Sequence, residues 1–305
     1  MIHIALNIDE KYSDYASVLI KSVLKYNTNV NFHILHNGIS ESAKNRIKSN
    51  LDTGSLISFY IVDSSLFNGM PVSDQWPEAI YYRILIPSLL PHDINKVLYC
   101  DCDILIRGSI EELWGTEFDN EGVAAVEDIL SPISPMLERL GCDPNIGYFN
   151  SGVMLINLDF WREAKVASKA IEFISNNKDI IRHPDQDALN AVLNNHWKKL
   201  HYRWNFLSSY QNTYYDKDDL LLDFNKKSIN FPVIVHFSGA KPWTSRCKSI
   251  YKFEYYDIMG IANINTTKPE VSIRDNVEFY ILRLLNYFKI RKLKSNYYNK
   301  SINER

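Results

Sequence analysis

The chain has 305 residues, of which 46% are apolar and 23% are charged, and its formal net charge is −2. This length and apolar content suffice for one large domain, or for one domain with a smaller appendage. The near balance of charges gives no reason to expect a nucleic acid partner. The four cysteines contain no CxxC pair of the kind that binds zinc and are too few for a disulfide scaffold, so they indicate a reducing compartment.

The first half of the chain alternates short apolar runs rich in β-branched residues with segments of helical periodicity. The runs are typical of buried strands, and the segments between them carry apolar residues at helical spacing after a serine. Strands separated by helices of this length indicate βαβ crossovers and a parallel sheet. The predicted elements are, in order, strand 2–8, helix 13–27, strand 30–38, helix 40–51 and strand 57–64.

The second half continues this pattern, with four further apolar runs and two helical stretches between the last two of them. The predicted strands are 96–106, 123–128, 148–158 and 233–239, and the predicted helices lie near 160–177 and 185–195. We therefore expect an α/β fold with a mixed, mainly parallel sheet and helices on both faces.

The C-terminal segment, residues 274–305, differs from the rest of the chain in charge. Its eight basic and three acidic residues give it a charge of +5, so the remainder of the chain carries −7. Within it, "VEFYILRLLNYFKIRKLK" combines apolar residues at helical spacing with a cationic end. This combination predicts a basic amphipathic helix that lies on an anionic membrane surface. The alternative is a terminal helix that packs on the core and ends in a frayed basic stretch.

Two aspartates, Asp101 and Asp103, interrupt the apolar run "KVLYCDCDILI". In an extended strand both carboxylates point to one face, and Cys100, Cys102 and Ile104 point to the other as small buried apolar residues. Two neighbouring carboxylates repel each other unless a cation lies between them, and Mg²⁺ or Mn²⁺ binds a few protein carboxylates together with phosphate oxygens. The pattern therefore predicts a metal site beyond the carboxyl end of a strand. The alternative is that one aspartate caps a helix and the other is solvated.

The segment "KVLYCDCDILIRGSIEELW" resembles the DxD region of retaining glycosyltransferase family 8, which includes bacterial lipopolysaccharide and lipooligosaccharide galactosyl- and glucosyltransferases and the glycogenins. Five further blocks resemble the family in the same order over residues 2–245: "NIDEKYSDYASVLIKSV", "AIYYRILIP", "YFNSGVMLINL", "HPDQDALN" and "VIVHFSGAKPW". The resemblance implies a GT-A catalytic domain over residues 1–250 and a helical, basic segment over 251–305. It also implies a UDP-sugar donor, Mn²⁺ or Mg²⁺, and transfer with retention at the anomeric carbon.

The resemblance assigns the metal to Asp101, Asp103 and His236. A histidine on an apolar strand can instead be a hydrogen-bonded core residue, and that alternative stays open. The residues that the resemblance assigns to the UDP-sugar are Asn7, Asp9, Lys11, Tyr12, Arg83, Asp101, Cys102, Gly239 and Lys241.

Several of these residues carry specific roles by the resemblance. Asp9 is expected to hydrogen-bond the uracil, and the ring of Tyr12 to stack on it. Arg83 is expected to contact the donor sugar or the diphosphate, with a surface helix arginine as the alternative. Lys241 supplies a compact cation for a diphosphate oxygen, and Gly239 permits close approach of the backbone.

Two departures from the family pattern affect individual residues. Lys11 stands where some relatives have a neutral polar residue. Only Ala240 separates Gly239 from Lys241, where the family usually has two residues. The family pattern therefore gives no specific contact for Lys11, and it places Lys241 on a loop that is one residue shorter than usual.

Four residues, Asp128, Asn150, Asp185 and Gln186, resemble those that surround the transferred hexose. Asp185 is expected to bind a sugar hydroxyl, and the Gln186 carbonyl oxygen to face the anomeric carbon opposite the diphosphate. Asp185 could instead cap the helix that starts in "HPDQDALN". A neutral amide is a poor nucleophile, so we expect front-face attack by the acceptor rather than two successive inversions.

The expected activity is transfer of galactose or glucose from UDP-hexose to a hydroxyl of an oligosaccharide or glycolipid, such as lipopolysaccharide core or another cell-surface glycan. The N-terminus lacks the features of a signal peptide, and no apolar run reaches about 18 residues, so we expect a cytoplasmic protein, peripheral on the inner face of the membrane. One alternative is a glycogenin-like, self-glucosylating enzyme with its acceptor in the tyrosine-rich stretch 208–217. Another is a non-catalytic nucleotide-sugar binding protein.

Overall fold

The chain forms two β-sheets with helices around them. The computed structural model describes residues 1–73, 77–128, 133–143, 145–208, 232–249 and 251–264, together with Val277. The strands are β1 (Ile2–Ile8), β2 (Val30–His36), β3 (Leu56–Ile61), β4 (Lys96–Cys100), β5 (Ile104–Ile106), β6 (Val123–Glu127), β7 (Phe149–Asn157), β8 (Trp197–Lys199), β9 (Phe206–Leu207) and β10 (Ile234–His236).

The larger sheet has seven strands in the order β3-β2-β1-β4-β7-β6-β8. Strands β1, β2, β3 and β4 run parallel, and β8 runs parallel to β6. Strand β7 runs antiparallel to both of its neighbours, β4 and β6. The prediction of a mixed, mainly parallel sheet is therefore confirmed.

Helices cover both faces of this sheet, as predicted. Their apolar stripes fill two separate cores, one on each face. On one face, Leu19 and Ile47 pack with Ile4; on the other, Trp161 and Leu189 pack with residues such as Met154 of β7. The α-helices are α1 (Ser13–Leu24), α2 (Glu41–Lys48), α3 (Ile86–Leu89), α4 (Glu111–Trp114), α5 (Ile133–Arg139), α6 (Leu158–Glu163), α7 (Val166–Asn176), α8 (Pro184–Val192) and α9 (Lys252–Ile261). The 3-10 helices are Glu10–Tyr12, Ser64–Phe67, Glu78–Leu85 and Tyr202–Trp204.

The prediction of one continuous strand over residues 96–106 is wrong. Strand β4 belongs to the seven-stranded sheet and ends at Cys100, whereas β5 starts at Ile104 and belongs to a three-stranded sheet. In that smaller sheet β10 pairs antiparallel with β5 and parallel with β9. The chain passes from one sheet to the other at Asp101–Asp103, so the two aspartates lie in a turn.

The prediction that Cys100 and Cys102 are small buried apolar residues is confirmed, because both are buried. Cys100 and Cys102 belong to the core that α1 and α2 cover. The side chains of Cys100 and Cys102 are therefore in the core, although the backbone at Cys102 is a turn and not a strand.

Helix α9 packs on the smaller sheet. Tyr255 and Met259 share an apolar cluster with Leu105 and Phe237 of the sheet region and with Val18 of α1. The predicted domain boundary at residue 250 stays a prediction. Apart from Val277, the predicted basic helix of residues 274–305 lies outside the described residues. Within the described ranges, no helix combines the length and apolarity needed to cross a membrane.

Candidate functional site

A cavity of about 660 Å³ opens at the carboxyl ends of β1 and β4, beside the ends of β7 and β10. This is the position at which open α/β sheets bind ligands. Except for Lys11, all of the residues that the sequence predicts for the site line this cavity: Asn7, Asp9, Tyr12, Arg83, Asp101, Cys102, Asp103, Asp128, Asn150, Asp185, Gln186, His236, Gly239 and Lys241. Lys11 is exposed and lies outside the lining, so its contact with the donor stays a prediction.

The two carboxylates of the turn meet the imidazole of His236 at the cavity wall. His236 Nε2 lies 3.4 Å from Asp103 Oδ1 and 3.9 Å from Asp101 Oδ2. One ligand atom from each of the three residues falls within 4.8 Å of the other two. Two carboxylate oxygens and one imidazole nitrogen form a donor set that suits Mn²⁺, with room for phosphate oxygens. The residues present therefore fit the divalent cation that the sequence implies.

Two side chains hold Asp101 through Oδ1, the carboxylate oxygen that is not paired with His236. Arg83 Nη2 and the Tyr99 hydroxyl both donate to Asp101 Oδ1, at 2.8 and 2.5 Å. The Arg83 guanidinium also stacks over the Tyr99 ring, 4.5 Å from its centroid. Burial raises the pKa of Asp101, and the charge of Arg83 opposes this shift. Arg83 is 5% exposed, which excludes the alternative of a surface arginine.

Asp103 is paired with Lys241 from the loop after β10. Lys241 Nζ contacts Asp103 Oδ2 and lies 3.2 Å from the Phe237 carbonyl oxygen. Burial opposes ionisation of Asp103, but the Lys241 ammonium and the neighbouring His236 imidazole outweigh it and lower the pKa of Asp103 below its ordinary value. The short loop after β10 thus brings the Lys241 ammonium to Asp103, a candidate metal ligand. The contact of Lys241 with a diphosphate stays a prediction.

Three polar side chains form a second cluster deeper in the cavity. Asp128 Oδ2 accepts from Asn150 Nδ2 at 3.1 Å and from Gln186 Nε2 at 3.2 Å. The Gln186 carbonyl oxygen accepts from the Ser151 backbone N–H at 3.0 Å. These bonds hold the amide of Gln186 against β7. Its predicted position relative to an anomeric carbon stays a prediction.

Asp185 lies at the start of α8 but does not serve as its cap. Its carboxylate accepts from Ser151 Oγ at 3.0 Å and pairs with Arg83 Nη1 at 3.2 Å. The carboxylate that accepts backbone N–H groups before this helix is Asp187, with Arg182 N at 2.7 Å and His183 N at 3.1 Å. The capping alternative for Asp185 is therefore wrong, and the residue lines the cavity.

The loop after β1 forms the opposite wall. Asp9 Oδ1 accepts from the Tyr12 backbone N–H at 2.9 Å and so caps the first 3-10 helix. The Tyr12 ring meets Trp243 edge-on at 6.0 Å, and Trp243 stacks on Tyr15 at 3.5 Å. Asn7 donates to the Ala79 carbonyl at 3.1 Å, whereas its Oδ1 is buried without a hydrogen-bond partner. This wall therefore offers an aromatic ring and an acceptor.

Sequence reasoning missed three residues that touch the predicted ones. Tyr99 lies two residues before Asp101 on the same face, a spacing that could have revealed it. Ser151 adjoins Asn150 and contacts both Arg83 and Asp185. Asn205 hydrogen-bonds His236 and is fully buried, but an isolated asparagine in an irregular segment gives no local signal.

Comparisons with known proteins agree on one family. The family model "Glycosyl transferase family 8" matches residues 3–247. General stress protein A of Bacillus subtilis (strain 168) is 33% identical over 277 residues, which cover 87% of this chain and 96% of that protein. A lipopolysaccharide 1,2-glucosyltransferase of Escherichia coli is 33% identical over 251 residues, 79% of this chain and 73% of that protein.

A solved structure shares both the fold and part of the sequence. The crystal structure of the galactosyltransferase LgtC, in complex with donor and acceptor sugar analogs, has a TM-score of 0.78 and 28% identity, and the match covers 87% of this chain and 97% of that one. The likeness confirms the GT-A fold that the sequence predicts. Every residue that lines the cavity falls within the range of the family model. This chain therefore belongs to glycosyl transferase family 8 and is a glycosyltransferase.

Proposed function

We propose that this enzyme transfers a hexose, galactose or glucose, from a UDP-sugar to a hydroxyl of a saccharide acceptor, with a divalent cation and with retention at the anomeric carbon. The observation that carries the proposal is the meeting of Asp101, Asp103 and His236 within 4.8 Å at the wall of the cavity. Such a set is suited to bind a cation that also contacts a diphosphate.

The loop after β1 would bind the uridine. The Tyr12 ring provides a flat apolar surface for the base, and the Tyr15 and Trp243 rings support it from behind. Asn7 Oδ1, which has no partner, can accept a hydrogen bond from a nucleotide N–H or hydroxyl group. The buried acceptor would then be satisfied by the substrate.

The diphosphate would lie between the acidic turn and the loop after β10. Asp101, Asp103 and His236 would hold Mn²⁺ or Mg²⁺, which when bound supplies charge neutralisation to the leaving group. The Lys241 ammonium, next to Asp103, is close enough to serve a second phosphate oxygen. Gly239 lines the cavity and, having no Cβ, would allow the backbone to approach the phosphates.

Retention is what the family resemblance implies, and the residues at the sugar subsite bear on how it would be achieved. Asp185 is engaged by Arg83 and Ser151, and Asp128 accepts two amide N–H groups. Gln186 is a neutral amide and a poor nucleophile. These contacts favour front-face attack, in which the acceptor hydroxyl enters on the side that the diphosphate leaves and its proton passes to the departing phosphate oxygen. Asp185 and Gln186 would bind and orient the hexose.

The acceptor would be lipopolysaccharide core or another cell-surface glycan on a lipid carrier. The printed name of the Escherichia coli relative, a lipopolysaccharide glucosyltransferase, supports this class. The charge of +5 in residues 274–305 supports peripheral attachment to an anionic membrane on the cytoplasmic side. Co-sedimentation of the full chain with phosphatidylglycerol vesicles, but not with phosphatidylcholine vesicles, would be expected.

The activity is tested with UDP-glucose and UDP-galactose, first for donor hydrolysis and then with lipid-linked oligosaccharide acceptors. With Mn²⁺ present, Asp103→Asn should lower kcat by at least about 100-fold, the scale of losing a key electrostatic stabiliser. Asp119→Asn is the matched control, because this aspartate side chain is 85% exposed and does not line the cavity. Undiminished turnover by Asp103→Asn would contradict the proposal.

Two further readouts separate the remaining alternatives. NMR of the product made from an α-linked donor should show an α-linkage, because retention keeps the anomeric configuration. Mass spectrometry of the enzyme after incubation with UDP-glucose should show no hexose on tyrosine. Covalent hexose would favour self-glucosylation, and UDP-sugar binding without turnover of any donor would favour a binding protein.

A further inference from the structure

A buried chain of hydrogen bonds connects the backbone of β7 with the imidazole of His236. Asn205, which is fully buried, directly precedes β9, and β9 pairs with β10 so that Leu207 lies opposite His236. The side chain of Asn205 lies between those of His236 and Asn150. Asn205 Oδ1 is 3.1 Å from His236 Nδ1, and Asn205 Nδ2 is 2.9 Å from Asn150 Oδ1. The pairing of the two strands thus brings an amide to the back of the imidazole.

The backbone fixes the orientation of the Asn150 amide. The Gly152 backbone N–H donates to Asn150 Oδ1 at 3.0 Å. Asn150 Nδ2 donates to Asp128 Oδ2 at 3.1 Å and to Gln186 Oε1 at 3.2 Å. A flipped amide would place its NH₂ against the Gly152 N–H and its oxygen against a carboxylate. Both contacts would be repulsive, so only one orientation is satisfied.

The orientation of Asn150 determines that of Asn205. Because Asn150 presents an oxygen, Asn205 must present its NH₂ group to it. The Asn205 oxygen is then left facing His236 Nδ1. An amide oxygen can only accept, so Nδ1 must carry a proton. The other nitrogen, Nε2, faces the carboxylates of Asp101 and Asp103.

We propose that Asn205 is a positioning residue that holds His236 in the Nδ1–H tautomer, so that the lone pair of Nε2 points to the cation site. The metal part of this proposal rests on the proposed function. Partners behind a metal-binding histidine fix its tautomer and ring orientation, and their loss typically costs about 10- to 100-fold in metal affinity. The same chain of amides links the cation site to Gln186 and Asp128 at the sugar subsite.

The tautomer is measured directly by ¹⁵N NMR of the imidazole side chains in the full chain, without added metal, at pH 8. The signal of His236 is assigned by its loss in His236→Gln. We expect the protonated, pyrrole-type signal at Nδ1. An unprotonated Nδ1 in the wild-type chain would overturn the proposal.

Two variants of Asn205 separate positioning from general stability. Asn205→Leu should lose the tautomer preference and weaken Mn²⁺ binding, measured by EPR in the presence of UDP, by about 10- to 100-fold. Asn205→Asp should keep the Nδ1–H tautomer even if it is less stable, since the new carboxylate still accepts from Nδ1. Unchanged tautomer and unchanged Mn²⁺ affinity in Asn205→Leu would overturn the proposal.

Asn27→Leu provides the matched control. Asn27 is also buried, accepting from the Ile110 backbone N–H and donating to the Val23 carbonyl, away from the cavity. The Asn27→Leu variant should be less stable than the wild type, without any change in the His236 signals or in Mn²⁺ affinity. If Mn²⁺ binds the wild-type chain but Nδ1 of the metal-free chain carries no proton, the positioning role of Asn205 fails while the proposed function stands. If Mn²⁺ does not bind the wild-type chain, the proposed function fails, and the tautomer is still decided by the metal-free spectrum.

Discussion

The buried guanidinium of Arg83 pairs with the partly exposed carboxylate of Asp101 in the site, with Arg83 Nη2 2.8 Å from Asp101 Oδ1. The same guanidinium pairs through Nη1 with Asp185 at 3.2 Å. Arg83 therefore joins a candidate metal ligand to a candidate sugar-binding residue. It fixes one oxygen of Asp101, while the other, Oδ2, faces His236.

Removal of this guanidinium should destabilise the fold as well as abolish activity. Arg83→Met leaves the buried carboxylate of Asp185 and the partly exposed one of Asp101 without their cation. Breaking a buried pair typically costs about 3–5 kcal/mol. Urea unfolding at pH 7 measures the change in the free energy of unfolding. Arg203→Met is the control, because Arg203 and its partner Glu112 are both exposed and should contribute about 1 kcal/mol or less. Equal losses in the two variants would contradict the structural role assigned to Arg83.

Gly152 is needed for the close approach of two candidate metal ligands. A Cβ at this position would lie 2.8 Å from Asp101 Oδ2 and 2.9 Å from His236 Nδ1, both too close. His236 is buried and cannot move aside freely. Gly152→Ala should therefore weaken Mn²⁺ binding at least about 10-fold, as measured by calorimetry with UDP. Gly260→Ala, where a Cβ meets no atom within 4 Å, should bind Mn²⁺ like the wild type.

Asp187 holds the segment that carries Asp185 and Gln186. It is fully buried, and its carboxylate accepts from Arg139 at 3.0 Å and from the Tyr148 hydroxyl at 2.7 Å. Burial opposes its ionisation, but these donors and the backbone N–H groups before α8 lower the pKa of Asp187. Asp187→Asn replaces one carboxylate oxygen, an acceptor, by an NH₂ group that faces these donors. The substitution should reduce the free energy of unfolding by about 3 kcal/mol.

The kinetic effect of Asp187→Asn should appear in kcat, because the start of α8 would shift beneath the sugar subsite. Asp159→Asn, at a side chain that is 65% exposed, is the control for both measurements. Wild-type stability in Asp187→Asn would show that its hydrogen bonds do not hold the segment.

A pair of histidines far from the cavity should make stability depend on pH. His33 Nε2 lies 3.0 Å from His3 Nδ1, and His33 Nδ1 lies 3.0 Å from the Tyr60 hydroxyl. Burial, with a smaller effect of His3, lowers the pKa of His33 to about 4. The unfolded chain thus binds a proton between about pH 6.5 and pH 4 that the folded chain does not bind. The free energy of unfolding should fall by about 3 kcal/mol as the pH drops through this window.

This pH effect is measured as a difference between wild type and His33→Leu. Both proteins are unfolded in urea at several pH values between 7 and 4. The variant should lose less stability over this range than the wild type. Parallel curves would show that His33 is protonated in the folded chain as readily as in the unfolded one.

The order of strands and helices could be predicted because it follows from local periodicity. The change of sheet at Asp101–Asp103 could not, because it depends on a partner strand, β10, that is remote in sequence. A run of apolar residues looks the same whether it stays in one sheet or passes between two. The two aspartates were nevertheless detectable, since charges inside an apolar run are rare.

The polar contacts of the site were predictable only in part. The resemblance to a family pointed to Arg83, but not to its burial between two carboxylates. Asn205 escaped prediction because its role depends on the pairing of β9 with β10 and on the amide of Asn150. The direction of the hydrogen bonds among Asn150, Asn205 and His236 cannot be read from the sequence around any one of these residues.

The central claim is that one divalent cation binds Asp101, Asp103 and His236 and contacts the diphosphate of the donor. Its most direct test is an anomalous difference map, recorded at the manganese absorption edge, from crystals of the full chain grown with Mn²⁺ and UDP. We predict one strong peak in contact with all three side chains and with phosphate oxygens. Clear density for UDP in the cavity, without a manganese peak at these residues, would contradict the claim.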